Sequence, residues 1–159
     1  MSRQALLRLV AENAPLQAEP ILAPLLEMLS LARKACEDDL DKFLIMLVVA
    51  IRAAGHRQFA AALLSQGEAG PASPFPSLGV NIQSIADSIG APKETVRRKV
   101  ADLVGLGWIA REGNELFLTP CAYQTLTPVR EAIHSLAVRY HEVVHGFLAE
   151  TGAGSAEPS

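Results

Sequence analysis

The clearest pattern along the chain lies between residues 80 and 119, where apolar positions recur first at helical spacing and then in short strands. Ile82, Ile85, Ala86 and Ile89 share one face of a short helix over 82–88, with Asn81 as its N-cap. Gly90 follows where a turn can use positive φ, and Pro92 opens a second helix whose Val96, Val100 and Leu103 form a buried stripe. After Gly105-Leu106-Gly107, "WIARE" and "ELFLT" read as two strands joined at Gly113-Asn114, both of which tolerate the positive φ of a tight hairpin turn.

The flanks are helical. Residues 2–13 form an amphipathic stretch stopped by Pro15, and Leu22, Leu25, Leu26, Leu29 and Ala32 then recur at helical spacing. Asp38 to Asp41 put negative charge where a third helix should begin, at the positive end of its dipole. That helix carries the apolar run Phe43 to Ile51, expected to be buried on most sides, with a bend near Gly55. "SQGEAGPASPFPSLG" is rich in Gly, Pro and Ser and reads as a loop. Past Pro120, Thr127 can cap a helix with Pro128 at its first position, running to about residue 149. Its Val129, Ile133, Leu136, Tyr140, Val143 and Phe147 make a heptad-type seam. The expected organisation is a helical segment over 1–65, a loop over 66–79, the helix-and-hairpin unit over 80–119, a C-terminal helix over 120–150 and a disordered tail over 151–159.

Composition narrows what such a chain can do. Half of its 159 residues are hydrophobic and 19% charged, enough to bury a sizeable core. The net charge of −3 excludes a global cationic field, so any contact with nucleic acid must come from a local patch. Cys36 and Cys121 form neither a disulfide framework nor a C-x-x-C pair, which fits a reducing cytoplasm. The N-terminus lacks a signal-peptide apolar region, and the longest apolar run falls far short of the roughly 20 residues that span a bilayer. A cytoplasmic protein without membrane contact is expected.

A local patch exists. The helix after Pro92 carries Lys93, Arg97, Arg98 and Lys99, four of the five cations in residues 81–119, where the acids Asp87, Glu94, Asp102, Glu112 and Glu115 balance them in number. The buried stripe leaves Lys93, Glu94, Thr95, Arg97 and Arg98 on the exposed face or near the helix start, where a recognition helix meets base edges. Arg suits guanine O6 and N7 in a bidentate pair, Lys93 a base or a phosphate, and Glu94 the amino group of cytosine. Thr95 can hydrogen-bond a phosphate or a base, and Arg111 near the hairpin tip is a candidate phosphate or minor-groove contact.

"SIADSIGAPKETVRRKVADLVGLGWI" resembles the winged helix of bacterial transcription regulators, and "KETVRR" is similar to the recognition helix of the cyclic-AMP receptor/FNR type. That resemblance covers about a quarter of the chain and implies base reading by Lys93, Glu94 and Arg98. Lys93 stands where the pattern has Arg, which departs from a bidentate contact there. The helical N-terminal segment leaves no room for a β-roll cyclic-nucleotide domain. A winged helix between helical flanks is similar in layout to the MarR (multiple antibiotic resistance regulator) architecture, in which terminal helices make the dimer; the loop at 65–79 departs from it.

One motif points elsewhere. "HEVVH" at 141–145 fits H-E-x-x-H, in which two histidines on one helix face bind zinc and the glutamate is general base. At about 100° per residue, His134, His141 and His145 lie on a stripe roughly 140° around from the apolar seam, with Glu131, Arg139 and Glu142 on the same polar side. A zincin needs a third ligand downstream, yet only 14 residues follow His145, and the extended motif would need Gly and His where the chain has Leu148 and Thr151. His134, His141 and His145 stay as candidates for a metal- or pH-responsive stripe on a solvated face.

The expected fold is mainly α: a winged helix-turn-helix of three helices plus a small β-hairpin wing, flanked by terminal helices used for dimerisation. The expected function is sequence-specific DNA binding in transcription regulation, with double-stranded DNA and a second copy of the chain as partners. A small-molecule effector of unspecified chemistry is also expected, with no cofactor and no enzymatic activity. A winged-helix interaction module without DNA binding is the rival, and a zinc-dependent peptidase the remote alternative.

Overall fold

A computed structural model of the protein describes residues 1–65 and 75–153. The described chain is mainly helical with one two-stranded antiparallel sheet. It divides into two compact units, one of residues 1–31 with 128–159 and one of residues 32–127.

In the first unit, α1 (Arg3–Asn13) is capped by Ser2, whose hydroxyl accepts from the Ala5 N–H at 3.2 Å. A 3₁₀ turn, Ala14–Gln17, absorbs Pro15 and leads into α2 (Ala18–Ala35), which crosses into the second unit at its C-terminal end. The helix expected from the spacing of Leu22, Leu25, Leu26, Leu29 and Ala32 is α2. Pro24 and Met28 are buried, whereas Leu22 and Leu26 are 58% and 68% exposed. The helix is apolar around too much of its circumference for periodicity to choose the buried side.

The last helix, α8 (Thr127–Ala153), keeps the expected seam, with Val129 and Phe147 buried and Ile133, Leu136, Tyr140 and Val143 half-buried. The Tyr140 hydroxyl donates to the Ile21 carbonyl at 3.1 Å, and Arg139 meets Glu27 at 3.5 Å, so α8 lies against α2 of the same chain. Thr127 is the first helical residue instead of a preceding cap, because a separate helix, α7 (Pro120–Thr125), comes before it. Thr151 to Ala153 complete α8 instead of beginning a tail, and residues 154–159 lie outside the described residues.

In the second unit, α3 (Leu40–Ala54) starts at Asp39, whose carboxylate accepts from the N–H groups of Asp41 at 3.0 Å and Lys42 at 3.3 Å. It buries Phe43, Ile45, Met46, Val49 and Ala53, while Ile51 at the end of the apolar run is 73% exposed. The helix ends at Gly55 instead of bending there, and a short α4 (Phe59–Leu64) follows.

Two further helices, α5 (Ile82–Ile89) and α6 (Lys93–Gly105), and the second strand of the hairpin β1 (Ile109–Glu112) and β2 (Glu115–Leu118) all pack on α3. Ile85, Ala86, Val96, Val100, Leu103, Trp108, Ile109, Leu116 and Leu118 close this core.

Most of the expected loop, 66–74, lies outside the described residues, but its end is well fixed. Phe75 is buried edge-on against Phe59 and Tyr123, and its N–H donates to the Leu118 carbonyl at 3.2 Å. Val80 exchanges both backbone hydrogen bonds with Leu116, at 3.1 and 2.9 Å, adding a one-residue bridge beside the hairpin.

The hairpin register pairs Ile109 with Leu118 and Glu112 with Glu115. Of the two turn residues only Gly113 takes positive φ (60°), so Asn114 does not share the left-handed geometry expected of it. Glycine at the first central position suffices for a hairpin turn that matches strand twist.

Candidate nucleic-acid interface

The sequence sets up α5 and α6 through three local devices. The Asn81 side chain accepts from the Ser84 N–H at 2.8 Å and starts α5. Gly90 ends it at φ 67°, where the Ala91 N–H reaches back to the Ala86 carbonyl at 3.2 Å, the six-to-one bond of a left-handed cap. Pro92 then sets the chain for α6. Val96, Val100 and Leu103 seal one face of α6 against the core, so the opposite face is what the unit presents to its surroundings.

At about 100° per residue the exposed part of α6 divides into three rows. Arg98 points almost directly away from the buried stripe, with Glu94 beside it, and both are exposed. Lys93 and Arg97, also exposed, form a flank on one side. Thr95, half-buried, forms the flank on the other. Arg97 Nε lies 3.5 Å from the Glu94 carboxylate, an i,i+3 pair open to solvent and therefore worth a fraction of a kcal/mol.

Arg111 is exposed on β1, and its Nε donates to the Gly113 carbonyl at 3.1 Å, which holds the guanidinium by the turn. Lys93, Arg97 and Arg111 line one open concavity of about 540 Å³, together with Gln83 and Asn114. The structure therefore brings three of the six expected contact residues around one opening, and sets Glu94 and Arg98 on a neighbouring surface.

Lys99, counted with the cations of this helix in the sequence, does not belong to that surface. Its side chain is only 12% exposed, and its ammonium pairs with the Asp39 carboxylate and, at 3.4 Å, with Asp41. The hydrogen bond to Asp39 raises the lysine pKa, partly opposed by burial. Burial pulls the Asp39 carboxyl upward, but the Lys99 hydrogen bond and the N–H groups of Lys42 and Asp41 outweigh it and hold it below its ordinary value.

A buried lysine, Lys42, meets Glu37 at 2.7 Å and Asp102 at 3.5 Å, and its pKa is raised chiefly by the hydrogen bond to Glu37. Two lysines thus fasten the start of α3 to the length of α6. Neither pairing was read from the sequence, where Asp38 to Asp41 signalled a helix start and nothing more. Cys36, beside this cluster, is buried and its thiol is pushed up to about 11 by desolvation and then by Asp39, so it is protonated at neutral pH.

The histidine stripe lies on α8. His134, His141 and His145 are exposed, with the rings of His141 and His145 6.1 Å apart between centroids. Among the described residues no group of three His, Cys, Asp or Glu side chains is gathered to hold a metal ion. The third ligand that a zincin requires has no counterpart there.

Against known proteins, the chain matches no family model, no curated protein and no solved structure. Among the described residues no helix is long and apolar enough to cross a membrane.

Proposed function

We propose that this chain is a cytoplasmic, sequence-specific DNA-binding regulator of transcription that acts through a winged helix-turn-helix. In that reading α3, α5 and α6 are the three-helix core, α6 is the recognition helix, and the β1–β2 hairpin is the wing. The observation that carries it is the exposed face of α6. Lys93, Arg97 and Arg98 stay in solvent on a helix whose other face is sealed, in a chain whose net charge is −3. Charged groups concentrated on one rigid helix supply both phosphate attraction and base-edge hydrogen bonds.

The chain works as a homodimer in this proposal. The α8 seam already packs within the chain, so the surface offered to a second copy is the exposed apolar side of α2, Leu22 and Leu26. Two recognition helices related by a two-fold axis would meet half-sites about one DNA turn apart.

The test is affinity for duplex DNA as a function of salt. A DNA reader shows log K falling with log salt at a slope near −0.9 per phosphate contact. An interaction module without DNA binding shows no such dependence, and that result would replace this proposal with the rival.

A further inference from the structure

The cations on the proposed DNA-binding face do not share one surface. Lys93 and Arg97 lie about 40° apart around α6, whereas Arg98 is about 100° beyond Arg97. Lys93 and Arg97 open onto the concavity that Arg111 closes from the hairpin, and Arg98 does not line it. No acidic side chain among the described residues lines it either; Glu94 touches only the Nε edge of Arg97. Three like charges around one opening repel each other, and an anion in the opening reverses the sign of that interaction. The neutral amides of Asn81, Gln83 and Asn114 also line the opening, with Gln83 giving one amide N–H to Asp87 at 2.8 Å. At about 540 Å³ the space holds a hydrated phosphate group but is too open and too polar for an apolar ligand.

We propose that the Lys93–Arg97–Arg111 concavity is a clamp for a single tetrahedral oxyanion, a backbone phosphate of the bound DNA. Lys93 and Arg97 then set the register of the protein on the duplex, and reading of base edges falls to Arg98 with Glu94. This rests on the DNA-binding reading above, and it departs from the resemblance to known recognition helices, in which the position of Lys93 reads a base. Because all three cations serve one phosphate, their contributions to salt dependence are shared and do not add.

The experiment has two arms, both on the full chain and on its triple variant Lys93→Ala, Arg97→Ala, Arg111→Ala. All three residues are exposed, and an unchanged far-UV circular dichroism spectrum confirms that the variant folds. In the first arm, binding to duplex DNA is followed against salt. The clamp predicts that the triple variant loses about 0.9 from the slope, the value of one phosphate, and keeps the base preference of the parent. A loss near three times that value, or a changed base preference, overturns the clamp while leaving DNA binding intact. In the second arm, inorganic phosphate is titrated while backbone amide resonances are followed. Shifts at Gln83, Lys93 and Arg111 that vanish in the triple variant support the oxyanion site, and their absence in the parent overturns it. Phosphate-induced shifts in a parent that shows no salt-dependent DNA affinity would support the oxyanion site but sink the DNA reading, and with it DNA as the source of the phosphate.

Discussion

The carboxylate of Asp39 caps α3 and at the same time receives the ammonium of Lys99 from α6, across sixty positions of sequence. One side chain thereby marks where α3 begins and adds a fastening between α3 and α6 to the packing of Val96, Val100 and Leu103, which turns α6 about its own axis. That rotation decides which residues of α6 face outward. The outward orientation of Arg98 thus rests on this contact together with the buried stripe Val96, Val100 and Leu103.

Lys99→Met removes the charge but keeps most of the apolar stem, and leaves the Asp39 and Asp41 carboxylates without their partner. The expected cost is about 1–3 kcal/mol, below that of a fully buried pair because both carboxylates keep some solvent. Urea titration should show a lower midpoint with an unchanged slope. If stability stays put and DNA affinity falls instead, Lys99 faces the ligand and its placement in the core cluster is wrong.

The same cluster gives stability a defined pH dependence. Asp39 has a lowered folded pKa, so its contribution is complete above its ordinary value of about 3.9 and is lost as pH falls through the lowered value. Lys42 and Lys99 have raised folded pKa values, so theirs is complete below about 10.4 and is lost as pH rises through the raised values. Urea midpoints across pH should therefore form a plateau with an acid and an alkaline edge. In Lys99→Met the acid edge shallows; an identical acid edge in parent and variant would contradict the pairing.

Thr119 ties the hairpin to α7. Its hydroxyl donates to the Gly107 carbonyl at 2.6 Å and accepts from the Ala122 N–H at 3.3 Å, and the residue is buried. Thr119→Val conserves shape and strands both backbone groups, so it should cost about 1–3 kcal/mol in chemical denaturation. Thr119→Ser keeps the hydroxyl and should recover most of that loss. Equal losses in the two variants would point to the methyl group instead.

At Gly90 an added Cβ meets nothing within 4 Å, so any penalty there is conformational. Gly90→Ala should cost about 1–2 kcal/mol, and Gly90→Asn less, because Asn tolerates the left-handed region. A neutral Gly90→Ala would show that the turn between α5 and α6 can adjust without that geometry.

The α5–turn–α6 stretch was legible in the sequence because each of its determinants is local. A cap at Asn81, a left-handed Gly90, a proline at 92 and buried residues at helical spacing act within one or two turns of each other. The same spacing leaves Lys99 off the exposed face but cannot supply its partners, since Asp39 and Asp41 lie some sixty positions away and only the folded chain brings them near. The spacing of Leu22 and Leu26 leaves the buried side of α2 undecided for a different reason. An apolar residue at helical spacing identifies a helix, but on α2 the spacing is met on two faces and tertiary packing chose between them. The convergence of Lys93, Arg97 and Arg111 is likewise tertiary, set by how the hairpin folds back beside α6. The HEVVH motif was read correctly as helical, and the exposed histidines on α8 agree with the stripe inferred from their spacing.

Whether α6 reads DNA sequence is decided by selecting binding sites from a random duplex library with the purified chain. Enriched sites should carry two related half-sites about one helical turn apart. Arg98→Ala should lose about 1–3 kcal/mol on those sites and relax the preference at one position of each half-site. A library that emerges unenriched, or an Arg98→Ala variant that weakens all sequences evenly, would contradict sequence reading by α6.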